Sequence, residues 1–151
     1  MTILGEQKHA IDKIQFDLIR WKMADSDHCS LSIDEIDLAI EEYKRFLSLK
    51  VENPSAKLSP TKLMDEVWHF HILDTKKYRQ DCMSLFGEFM DHFPSYGPFE
   101  SAERTTTLLQ SFERMSSLYR DRFGQCPIVE RGSCSNSCGN SSCHGGGICD
   151  S

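Results

Sequence analysis

The chain has 151 residues, 39% of them hydrophobic and 26% charged, and carries a formal net charge of −6. That is apolar material for one domain of ordinary size, and its basic residues (Lys44 and Arg45, Lys76 and Lys77, Arg120 and Arg122) are scattered among acids, with no stripe to bind nucleic acid. No apolar run reaches the length of a bilayer span, and the opening MTILGEQKHAIDKIQ lacks the apolar region of a secretory signal, so the expected address is cytoplasmic, with neither membrane nor nucleic acid as partner.

Ile11, Ile14, Leu18 and Trp21 recur at helical spacing and predict one amphipathic helix over residues 6–23. A polar break over 25–30 follows. Ser32 with Glu35 three residues on is a capping box, opening a second helix that carries Ile33, Ile36, Ile40, Tyr43 and Leu47 on one face. Asn53, Pro54 and Ser55 end it. Ser59-Pro60 reads as an N-cap with proline at the first helical position, so a third helix is predicted from there to about Phe86, with Gly87 as a kink or interruption. The stretch HFPSYGP is a connector. A last helix over about 99–123 carries Leu108, Phe112, Met115 and Tyr119, and Gly124 stands where a glycine stop is expected. The fold class is all-α, a compact bundle of four or five helices over 1–124, followed by a Gly/Ser/Cys-rich tail over 125–151 that is flexible unless metal-bound.

The third helix holds the candidate chemistry, in DEVWHFHILDTKKY. At about 100° per residue, Met64, Val67, Trp68, His71, Thr75, Tyr78, Cys82 and Leu85 share one face, with Asp74 at its edge. His69 points nearly the other way, beside Asp65 and Leu73. His69 and His71 therefore cannot chelate one ion together from a regular helix. His71 with Asp74 and Tyr78 is the better constellation, because the three stack along one face. His92, beyond Gly87, is expected to add a ligand from another direction, with Asp91, Cys82 and His69 in support. A mixed His/Asp set suits zinc or iron better than magnesium. The bland alternative is a buried hydrogen-bond network that locks helix packing, with Trp68 as a core anchor.

His9 and His28 lie in polar stretches and read as surface residues; Cys29 lies in a loop with no defined electropositive setting. In the tail, Cys126, Cys134, Cys138, Cys143, His144 and Cys149 form a possible second metal site. Their spacing matches no paired-knuckle zinc motif, and five cysteines cannot all pair among themselves.

DEVWHFHILDTKKYRQDC, followed by FGEFMDHFP and preceded by YKRFLSLK, resembles the glycine-rich domain-containing protein-like family over about 43–97. The resemblance implies little chemistry. That family's members in plants are associated with development and stress responses, and some add an RNA-binding domain without counterpart here. Its Trp-His-x-His-x-x-Asp-Thr core falls on Trp68, His69, His71, Asp74 and Thr75. Its later pair of histidines falls on Asp91 and His92, so a carboxylate replaces one imidazole, which implies a preference for harder ions if the pair binds metal.

Three functions remain open from these residues. One is a small helical protein that binds a transition metal or small ligand. A second is a non-catalytic module for a protein or peptide partner, with the tail as a tether. The third is a metal-dependent tailoring enzyme acting on a peptide.

Overall fold

The computed structural model describes residues 3–130 and 133–134. Among them the chain is all-α, with six α-helices: α1 Ile3–Asp12, α2 Phe16–Asp25, α3 Ile33–Glu52, α4 Lys62–Leu73, α5 Thr75–Phe86 and α6 Ala102–Phe123. A single 3-10 turn, Gly97–Phe99, precedes α6, and a short antiparallel ribbon, β1 Ile128–Glu130 with β2 Ser133–Cys134, follows it. No helix among the described residues is long and apolar enough to cross a membrane.

α3 is the hub. Ser32 opens it with the capping box that its spacing predicts: Ser32 Oγ accepts from the Glu35 amide at 3.3 Å, and the Ser32 amide donates to Glu35 Oε2 at 2.7 Å. Ile36, Ala39, Ile40, Tyr43, Phe46 and Leu47 are buried, a wider band than one amphipathic stripe, because α1, α2, α4 and α6 all pack on this helix.

The predicted single helix over 6–23 is two helices, interrupted over 13–15. The interruption resets the buried register from Ile11 and Ile14 to Phe16, Ile19 and Met23. Phe16 then meets the Tyr43 ring edge-on at 6.4 Å. Leu18 and Trp21, expected on the core face, are 57% and 63% exposed.

The predicted third helix also differs. Its N-cap is Thr61, whose Oγ1 accepts from the Met64 amide at 3.3 Å, so Pro60 precedes the helix. The Ser59 amide is committed elsewhere, to Ser111 O of α6 at 3.3 Å. The helix then breaks at Asp74, which leaves helical geometry with φ −87° and ψ 78°; its side chain accepts from the Lys77 amide at 3.2 Å. Aspartate suits this position because its short carboxylate satisfies an orphan amide at a new helix start. One long helix thus becomes a hinged pair, α4 and α5. Thr75, placed on the core face by unbroken periodicity, is exposed. Gly87, at φ +71°, ends α5 with its amide on Met83 O. The last helix starts at Ala102 and not near Phe99, because Ser101 caps the Arg104 amide at 3.2 Å. Gly124 ends it at φ +71°.

Candidate metal centre

Asp65 and His69 are one helical turn apart on α4 and lie on the same side. Beyond Gly87 the chain runs back without regular structure and brings His92 to them. His92 Nε2 lies 2.6 Å from Asp65 Oδ1, and His69 Nε2 lies 3.2 Å from Asp65 Oδ2. One carboxylate therefore faces two imidazoles, and one ligating atom from each of the three residues falls within 4.8 Å of the others. The side chains grade from solvent inward: His69 is 53% exposed, Asp65 33% and His92 14%. His92 is held by rings on two sides, Trp68 at 4.5 Å and His69 at 4.7 Å between centroids, both edge-to-face.

His71 faces the opposite way, into the core, and is 3% exposed. Tyr43 OH lies 2.9 Å from Nδ1 and Asp81 Oδ2 lies 2.8 Å from Nε2. One tautomer satisfies both contacts: Tyr43 O–H donates to Nδ1, and Nε2–H donates to the carboxylate. Burial lowers the His71 pKa, and Asp81 opposes that only in part, which favours this neutral form. Beside it, Trp68 Nε1–H donates to Tyr78 OH at 2.9 Å, and Tyr78 O–H donates to Met90 O at 2.5 Å. Burial pushes the Cys82 thiol up, away from the thiolate that ligates metal.

The residues singled out in the sequence thus separate into two layers. His69 and His92 meet at the surface cluster. His71, Tyr78 and Cys82 are buried behind it, His71 and Tyr78 with ring centroids 4.9 Å apart. Asp74 caps α5, and Asp91 is exposed on the segment before His92. His92 pairs with Asp65 and not with His71. Periodicity misses two partners. In the sequence Asp65 stands out only as a neighbour of His69, and Asp81 meets His71 across the bend at Asp74, which a straight helix does not contain. It also misses Glu42, a buried carboxylate on α3. Glu42 Oε1 accepts from Tyr119 OH at 2.6 Å and from Arg45 at 3.3 Å, and Oε2 accepts from the Ile128 amide at 3.1 Å. Burial and Glu42 together push Tyr119 up to about 12.

His9 and His28 are exposed, as surface residues should be; Cys29 is free and partly buried. Cys126 is disulfide-bonded, which removes it from the possible second metal site in this state. Cys134 belongs to β2 with its side chain undescribed, and Cys138, Cys143, His144 and Cys149 lie outside the described residues.

Residues 6–117 match the model of the UCP032817-like family. The chain belongs to that family. The match overturns the resemblance to the glycine-rich domain-containing protein-like family, which rested on strings within about residues 43–97, and the roles carried from it to Asp91 and His92 fall with it. Asp65, His69 and His92 all lie inside the UCP032817-like region, and the cysteine-rich tail lies beyond it. Neither the curated proteins nor the solved structures hold a match to the chain.

Proposed function

We propose that this UCP032817-like protein binds one divalent transition-metal ion, zinc or iron(II), through a carboxylate oxygen of Asp65 and one imidazole nitrogen each of His69 and His92. The observation that carries the reading is the convergence of three donors from two separate chain segments within 4.8 Å at a partly open surface. Two nitrogens and one carboxylate favour zinc or iron(II) over magnesium, which prefers oxygen. Three protein donors leave coordination positions for water or a small ligand, the arrangement that supports catalysis at such ions. A cytoplasmic address belongs to the same proposal.

Protein without a histidine tag, stripped with chelator and dialysed against zinc(II), is expected to retain one equivalent. Asp65→Asn, His69→Ala and His92→Ala each reduce that uptake, whereas His71→Ala leaves it in place wherever the variant folds. Wild-type protein that holds only trace metal after reconstitution with zinc(II) and with anaerobic iron(II) sinks the reading. Uptake that depends on His71 and ignores Asp65 would move the site to the core layer.

A further inference from the structure

We propose that Tyr78, which reaches none of the three donors, is the residue that positions His92. The inference rests on the reading of Asp65, His69 and His92 as a metal site and adds the device that holds its loop-borne donor in place.

His92 is the donor with the least backbone support. Asp65 and His69 ride on α4, but His92 sits in an irregular stretch between α5 and α6. Two things hold it from behind. One is the Trp68 ring, edge-to-face with the imidazole at 4.5 Å. The other is the backbone two residues before it, where the Met90 carbonyl is fixed. A single hydroxyl bonds to both. Tyr78 OH accepts from Trp68 Nε1–H at 2.9 Å and donates to Met90 O at 2.5 Å. Trp68, Tyr78 and Met90 are all buried, so no bulk water replaces that hydroxyl if it is removed. The indole N–H and the Met90 carbonyl would then be unpaired in the core, and the ring and the segment that frame His92 would lose the tie that joins them. Burial raises the Tyr78 pKa, so the hydroxyl keeps the proton that it gives to Met90. Loss of a group hydrogen-bonded directly to a metal ligand costs roughly 10–100-fold in affinity, and Tyr78 acts one contact further back, so its effect belongs at the lower end.

The test compares wild type with Tyr78→Phe, Trp68→Phe and Tyr119→Phe. The last removes an equally buried hydroxyl on α6 that is bonded to Glu42 and Arg45 and is outside the His92 support. Zinc(II) affinity is measured by competition with a chromophoric chelator, cobalt(II) loading by its visible bands, and the His92 side-chain nitrogens by NMR in metal-free protein. Tyr78→Phe and Trp68→Phe are expected to weaken zinc by up to roughly 10-fold, to alter the cobalt(II) bands and to shift the His92 Nε2 signal. Tyr119→Phe is expected to lose stability with wild-type affinity. Wild-type affinity and an unmoved His92 signal in Tyr78→Phe overturn the proposal while leaving the metal site standing. If wild type takes up no metal, the metal reading fails and the His92 signal alone decides the positioning role. If Tyr78→Phe does not fold, fluorotyrosine at position 78, which keeps the ring and alters only the bonds of the hydroxyl, decides: an unmoved His92 signal there overturns the proposal. Trp68→Phe also removes the ring against His92 and serves only as the measure of full loss of support.

Discussion

At the scale of single residues, the polar groups on the core side of α4 and α5 are there because they satisfy one another. His71 is the clearest case, with one ring nitrogen on Tyr43 and the other on Asp81. That pairing has a pH consequence. Burial places the folded-state pKa of His71 below the ordinary histidine value, so on acidification the unfolded chain takes up this proton before the folded protein does. Stability then rises with pH through that window. The His71 contribution is fully present above about pH 6.5 and is lost progressively as pH falls below it. Urea unfolding of chelator-treated protein is expected to show a larger loss between neutral and mildly acidic pH in wild type than in His71→Gln. Parallel pH profiles for the two proteins would contradict the buried neutral assignment.

At the scale of elements, the decisive event is the break at Asp74. It turns one predicted helix into a hinged pair and brings Asp81 onto His71. It also spends the Asp74 carboxylate on a helix start. Asp74→Ala is therefore expected to cost about 1 kcal/mol as a lost N-cap while leaving zinc(II) affinity unchanged. A calorimetric titration showing that this variant no longer binds metal would restore Asp74 to the site. The same break explains what a sequence discloses here. The cap at Ser32 and the stops at Gly87 and Gly124 are local, set by one or two side chains and a left-handed glycine, so they are legible from spacing alone. So is the opposite facing of His69 and His71, because it depends only on helical pitch within α4. The meeting of His92 with Asp65, 27 residues apart, depends on where Gly87 sends the chain, and no periodicity carries that. Leu18 and Trp21 mislead for a related reason. Their spacing fits a straight helix, but burying Phe16, Ile19 and Met23 against α3 wins once the chain bends over 13–15.

At the scale of the molecule, two adjacent residues of α3 tie its two sides. Tyr43 reaches His71 and through it α5, while Glu42 reaches Tyr119 of α6 and the amide of Ile128 in β1. The Glu42 contacts span 77 and 86 residues of sequence. Closing loops of that length is an entropic cost that precedes any reward, so α6 and the ribbon should dock after α3 and α4 have found each other. Interactions formed after the barrier slow unfolding and scarcely change the rate of folding. Stopped-flow kinetics of Tyr119→Phe are expected to show faster unfolding, with the refolding arm nearly superimposed on wild type. An equal slowing of refolding would instead put Glu42 and Tyr119 in the nucleus. On that expectation the carboxylate at the centre of this bundle is a latch on a nearly finished structure, one that would set how long the native state lasts and have little part in how it is found.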